Sequence, residues 1–172
     1  MGDIINISRE WAMPSKATLS IKPIQEWVIP FIGSATQSID PFAGNCNLAT
    51  ITNDLNPNTT ATYHMEALEF LKEYKHADLV IFDPPYSLRQ IKECYESVGK
   101  GFTKNDSHNG LRWTKERDVI ANNQSYGDYV LSFGWTTSCM GKKRGYEITD
   151  ILLVAHGSGH HDTICVAEKK VI

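Results

Sequence analysis

The sequence predicts an α/β fold: a mostly parallel sheet of about seven strands, with helices on both faces and an antiparallel hairpin at the C-terminal end. Three observations carry this. Short β-branched apolar runs alternate with stretches whose apolar residues recur at helical spacing, the pattern of helices laid across parallel strands. The last two apolar runs, 151–155 and 163–167, are separated by too few residues for a helical crossover, so they pair antiparallel. Two predicted strands end in acidic-proline turns, Asp40-Pro41 and Asp83-Pro84, at the rim where open α/β sheets bind ligands.

Taken in order, residues 1–19 form an N-terminal arm. Ile24, Trp27, Val28 and Phe31 mark a helix, with Pro23 suited to its first turn and Pro30 expected to end or kink it. Strands are expected at 36–40, 49–53 and 60–63. Met65, Ala67, Leu68, Phe70 and Leu71 give an amphipathic helix before a buried strand at 77–82. Leu88, Ile91, Cys94, Tyr95 and Val98 place an apolar face on the next helix. A polar, glycine-bearing loop follows at 100–110, then a helix at 113–124, a strand at 129–133, one or two helical turns at 140–147, and the hairpin. No repeat or linker divides the 172 residues, which read as a single domain.

A hydrophobic content of 41% and a charged content of 22% are globular values. No apolar stretch approaches the roughly 20 residues of a membrane span. The start, Met1-Gly2-Asp3-Ile4-Ile5-Asn6, lacks the layout of a signal peptide. Cys46, Cys94, Cys139 and Cys165 are scattered and form no C-x-x-C pair, which argues against a zinc ribbon or redox pair and for a reduced, cytoplasmic protein. The net charge of −3 argues against tight unaided binding of duplex DNA. Lys142-Lys143-Arg144 reads equally as a solvated helix end or a phosphate contact. His160-His161-Asp162 reads as a hairpin turn, so no metal site is expected. Trp113 and Trp135 read as core or rim aromatics.

The most specific motif is Asp83-Pro84-Pro85-Tyr86. A carboxylate, a rigid proline corner and an aromatic ring arrive together at the end of a buried strand. That set suits a flat ring bearing an amino group. Upstream, in order, stand Ser20-Ile21-Lys22-Pro23-Ile24, Asp40-Pro41-Phe42-Ala43-Gly44, Asp54-Leu55-Asn56-Pro57 and His64-Met65-Glu66-Ala67-Leu68. This series resembles the class I S-adenosylmethionine-dependent DNA amino-methyltransferase family, of the N6-adenine type that carries an Asp-Pro-Pro-Tyr motif.

The resemblance implies a Rossmann-like methyltransferase sheet and S-adenosyl-L-methionine as cofactor. It implies that Ser20 and Lys22 reach the cofactor carboxylate, and that Asp40, Pro41, Phe42 and Gly44 cradle its methionine part. Asp54 would accept from the ribose hydroxyls, and Glu66 from the adenine amino group. Asp83 and the Pro84 carbonyl would each accept one hydrogen of the target amino group, Pro85 would stiffen the turn, and Tyr86 would stack on the base. The implied substrate is adenine N6 in DNA, flipped from a duplex or already single-stranded. Cytosine N4, RNA, or a non-catalytic methyltransferase-like subunit remain alternatives.

The sequence departs from that family in two places. Only Asn45-Cys46-Asn47-Leu48 separates Gly44 from the next strand, so the helix usual there is shortened or absent, and one sheet face is left thinly covered. The arm, through Trp11 and Met13, or a partner chain is expected to cover it. No inserted target-recognition region is present, which leaves the loop at 100–111 as the candidate reader of sequence and favours a homodimer or a partner subunit.

Overall fold

The computed structural model describes residues 4–103 and 113–172; most of the expected 100–111 loop lies outside the described residues. The elements run β1 (Asn6–Trp11), α1 (Lys22–Ser34), β2 (Ser38–Asp40), β3 (Ile51–Thr52), α2 (Ala67–Glu73), β4 (Leu79–Phe82), α3 (Leu88–Ser97), α4 (Thr114–Asn123), β5 (Tyr129–Gly134), β6 (Tyr146–Ala155) and β7 (Thr163–Lys170). Short 3₁₀ turns lie at Thr18–Ser20 and Lys142–Arg144. The seven strands form one sheet in the order β1-β6-β7-β5-β4-β2-β3. Only β7 runs antiparallel to its neighbours, pairing with β5 and β6. The expected α/β fold class, with its antiparallel C-terminal hairpin, is therefore observed.

Alternation along the central strands builds two core layers. Leu79 and Ile81 of β4 face α1, where Ile24 and Val28 are fully buried with Leu131 and Val154. Val80 and Phe82 face the other way, onto Phe70 and Leu71 of α2 and Ile120 of α4. All four residues of β4 are buried, as a strand covered on both faces requires. Among the described residues no helix is long and apolar enough to cross a membrane.

The expected count of seven strands is met with a different membership. The segment 60–63 contributes a single bridge, Asn53 to Tyr63. The seventh strand is instead β1, inside the N-terminal arm. It pairs parallel with β6 at the sheet edge, from Asn6 opposite Asp150 to Trp11 opposite Ala155. All six of its residues are exposed, so no buried periodicity announced it. Pro30 does not end α1, which continues to Ser34. The ring faces solvent, and the Ser34 hydroxyl donates to the Pro30 carbonyl at 3.0 Å. Only the 3₁₀ turn at Lys142–Arg144 forms within 140–147, because β6 already begins at Tyr146.

No helix stands between β2 and β3, which nevertheless pair parallel. The connecting segment covers that face itself: Ala49 is buried in the α1 layer, and Cys46 and Leu48 pack against it. The expectation that Trp11 and Met13 cover this face is not met. They are 61% and 70% exposed, and β1 lies at the far edge of the sheet from β2 and β3.

Candidate active site

Strands β2 and β4 are parallel neighbours, with Ile39 opposite Val80. They therefore deliver the turns after Asp40 and Phe82 to the same rim. Asp40 is buried, and its Oδ1 accepts the Phe42 N–H at 2.9 Å, which folds the chain sharply after β2. Gly44 has φ of 54°, a left-handed conformation that glycine adopts without strain. Its N–H donates to Asp54 Oδ2 at 2.9 Å, and the Asn56 N–H donates to Asp54 Oδ1 at 2.8 Å. Asn53 is fully buried and stitches the layer together. Its side-chain amide donates to the carbonyls of Pro41 (3.1 Å) and Met65 (3.0 Å), and its Oδ1 accepts from the Met65 N–H (3.1 Å).

Above this loop lies a cavity of about 320 Å³, walled in part by Pro41, Phe42, Asp54, Glu66, Pro85 and Trp113. Pro85 of the acidic turn and Pro41 and Phe42 of the small-residue loop thus border one cleft, while Asp40, Gly44, Asp83, Pro84 and Tyr86 are not part of its wall. Glu66 lies just before α2, where it accepts from Lys100 Nζ at 2.7 Å and from the Tyr95 hydroxyl at 3.3 Å. Ser20 and Lys22 stand outside the cavity wall. The Ser20 hydroxyl donates to the Ala17 carbonyl at 2.7 Å, and Lys22 lies 3.8 Å from Glu26 on the exposed side of α1.

Past β4, Asp83 is partly buried and Pro84 buried. The Tyr86 hydroxyl donates to Asp83 Oδ1 at 2.5 Å, and lies 3.0 Å from the Thr18 hydroxyl. The Tyr86 N–H donates to Gln90 Oε1 at 2.6 Å, and Ser87 caps α3 by accepting the Gln90 N–H at 3.3 Å. The proline turn therefore runs straight into a capped helix and is held from both sides. Desolvation pushes the Asp83 carboxyl up to about 6, against the opposing effect of the hydrogen bonds from Tyr86 and Thr18. Burial lifts Asp40 well above the usual carboxylate range, against the Phe42 N–H, and the charges of Asp83 and Asp54 add to the rise. The charges of Asp83 and Asp54 thus both bear on Asp40 across the rim. The Tyr86 phenol is raised by burial and by Asp83.

Sequence reasoning missed Thr18, Asn53, Tyr95 and Lys100, none of which belongs to a local motif. Trp113 was read only as a core or rim aromatic. Its backbone is left-handed at φ 45°, just before α4, and its indole meets Phe42 edge-on at 5.1 Å. The buried indole N–H has no partner among the described residues.

No protein-family model matches the chain, and no curated protein matches it. Solved structures do. The structure of TrmN from Thermus thermophilus superimposes with a TM-score of 0.58 at 11% identity, over 88% of this chain and 49% of that one. NSun6 from Pyrococcus horikoshii, solved with SFG, gives 0.54 at 10% identity, over 84% of this chain and 51% of that one. The chain has the Rossmann-like methyltransferase fold. The N-methyltransferase NodS from Bradyrhizobium japonicum, in complex with S-adenosyl-L-homocysteine, gives 0.51 at 9% identity, over 87% of this chain and 85% of that one. This methyltransferase-fold chain spans about half the length of the first two.

Proposed function

We propose that this protein transfers a methyl group from S-adenosyl-L-methionine to the exocyclic amino group of adenine, N6, in DNA. The observation that carries the reading is the shared cleft: Pro85 of the Asp83–Tyr86 turn and Pro41 and Phe42 of the Gly44 loop wall the same cavity. The residues present fit the cofactor. Pro41, Phe42 and Trp113 offer apolar faces to a nucleoside, Asp54 and Glu66 offer acceptors, and the Trp113 indole N–H is a donor with no partner among the described residues. Each Asp54 oxygen accepts one backbone N–H and keeps a second lone pair for a hydroxyl. The bound cofactor supplies an electrophilic methyl group.

The chain's own residues do the rest. An aromatic amine is a weak nucleophile because its lone pair is delocalised into the ring. Asp83, ionised, accepts one amino hydrogen and the Pro84 carbonyl the other, which draws the nitrogen toward tetrahedral geometry. The two prolines and the α3 cap fix those acceptors in advance, so little reorganisation is left for the reaction itself. Tyr86 presents its ring to the base, and its hydroxyl steadies Asp83.

The test is direct. Purified protein is incubated with labelled S-adenosyl-L-methionine and DNA, and the hydrolysed product is analysed. N6-methyladenine from the wild type, and none from Asp83→Ala, is expected. N4-methylcytosine, or label found only in RNA, overturns the substrate assignment. Cofactor binding without transfer to any nucleic acid overturns catalysis.

A further inference from the structure

Beyond the reacting corner, aromatic rings continue along the same rim of the sheet. Strand β5 is parallel to β4, so Trp135 leaves it beside the Asp83 turn. Strand β7 is antiparallel to β5, so the β6–β7 turn at 156–162 returns to this rim, and Trp11, opposite Ala155, closes the row at β1. Tyr86 meets Trp135 edge-on at 5.8 Å. His161 lies over Trp135 at 4.4 Å with an interplanar angle of 31°. The Trp11 indole nitrogen lies 3.8 Å from the point where a side chain on Gly157 would begin. Trp135 is 39% exposed and Trp11 61%, and His160 and His161 are exposed. At about 4.8 Å per strand, the row crosses roughly 19 Å of rim.

The platform is built in advance. His156 is buried beneath the turn. Its Nδ1 lies 2.8 Å from the Ala12 carbonyl, which can only accept, so Nδ1 donates there, and its Nε2 lies 2.8 Å from the Thr163 hydroxyl. One side chain thereby ties the end of β1 to both arms of the hairpin.

Charge decides which partner fits. The dense basic cluster Lys142-Lys143-Arg144 precedes β6, so it lies at the opposite end of the sheet, and Arg144 is held by Asp118 at 2.7 Å. Near the rim, Lys16 is exposed in the segment that follows β1, and Lys22 and Arg89 are exposed in the first turns of α1 and α3, each paired with a glutamate, Glu26 and Glu93. Duplex binding is led by phosphate contacts, and among the described residues this rim offers few cations, two of them already paired with glutamates. Unpaired bases offer π-faces, which it does.

We infer that the row Tyr86–Trp135–His161–Trp11 is a stacking platform for an unpaired nucleic-acid strand, laid from the reacting corner across the β6–β7 turn to the edge of the sheet. The inference rests on the proposed function in one respect, the corner at which the target base enters. It goes beyond that function in naming the substrate as single-stranded and the residues that hold it.

The experiment measures fluorescence anisotropy of end-labelled oligodeoxyuridylate and oligouridylate of about twelve nucleotides, and of a duplex of equal length, with the full chain and no cofactor. The single strands bind at least about tenfold more tightly than the duplex, and the better of the two identifies the sugar. Between about 50 and 200 mM salt the affinity falls less than about tenfold, as one or two phosphate contacts allow. Trp135→Ala weakens binding about tenfold, the effect of one lost stack. Trp135→Phe stays within about threefold, and His161→Ala loses severalfold. Should Trp135→Ala fail to fold, the exposed positions His161→Ala and Trp11→Ala carry the test. Equal affinity for duplex and single strand, or unchanged binding in all variants, overturns the inference. Calorimetry with S-adenosyl-L-homocysteine and the transfer assay keep the two readings apart. Single-strand binding without either activity defeats methyl transfer and leaves the platform standing. Methylation with a preference for duplex does the reverse.

Discussion

The Tyr86 hydroxyl donates to Oδ1 of Asp83, three residues before it, at 2.5 Å. The two side chains proposed to contact the target base are therefore bound to each other. One carboxylate oxygen is occupied by the phenol, and Thr18 holds the phenol from the other side. This small network sets the protonation of the corner, and its parts can be removed one at a time.

The Asp83 carboxyl, raised to about 6 by burial, must be ionised to accept an amino hydrogen. kcat/KM is expected to fall about tenfold per pH unit below about 6. Stability runs the other way. A carboxyl raised from 3.8 contributes stability that is fully present below 3.8 and is lost as pH rises through about 6. The loss at pH 8 is on the order of 3 kcal/mol. Asp83→Asn should therefore be inactive, yet more resistant to urea than the wild type at pH 8 and not at pH 4. An unfolding midpoint difference that ignores pH would contradict the burial account.

Tyr86→Phe keeps the ring and removes the hydrogen bond that lowers the Asp83 carboxyl. The acid limb of the rate profile should move up by about one unit, since a hydrogen bond to a charged group is worth about 1.5 kcal/mol. Thr18→Val should move it in the same direction by less. Profiles of kcat/KM against pH for the three proteins check this, and an unmoved limb in Tyr86→Phe would count against the network.

Asp54 holds the Gly44 N–H of the loop after β2 and the Asn56 N–H of its own turn. Asp54→Ala should cost about 2–3 kcal/mol in unfolding free energy and most of the affinity for S-adenosyl-L-homocysteine. Gly44→Ala should cost about 1 kcal/mol, because an added Cβ meets open space and only the left-handed backbone is strained. Chemical denaturation and calorimetry measure both. Equal losses in the two variants would show that steric fit, and not the Asp54 carboxylate, holds the loop.

The Lys100–Glu66 pair is about half exposed, so breaking it should change stability by less than about 1 kcal/mol. It should change binding more. Lys100→Ala releases a Glu66 oxygen into the cavity and should tighten S-adenosyl-L-homocysteine several-fold, whereas Glu66→Ala should weaken it about tenfold. Weaker binding in Lys100→Ala would assign the lysine to the ligand and not to competition with it.

The parts legible in the sequence were those whose cause is local. Strand β4 is a run of four buried apolar residues followed by its own terminator, and the Asp40–Gly44 turn is specified by its proline and its left-handed glycine. What the sequence hid was non-local or unpatterned. Strand β1 buries nothing and exists because β6 is there to pair with it. Strand β3 was legible in the β-branched run at 49–53, but only Ile51 and Thr52 of that run pair with β2, the neighbour that sets this limit. Thr18 reaches Tyr86 across 68 residues, and Lys100 reaches Glu66 across 34. Lys22 matched the expected order of pieces, but at the first turn of α1 it points to water, and nothing in its neighbours' pattern distinguished that from a ligand contact.

The edge position of β1 bears on how the chain is assembled during synthesis. Asn6 leaves the ribosome 144 residues before its partner Asp150. Until β6 and β7 have closed their hairpin, β1 has no template, and its backbone N–H and C=O groups have only water to bond. The strand translated early is thus seated late, and the backbone ladder to β6 is what seats it.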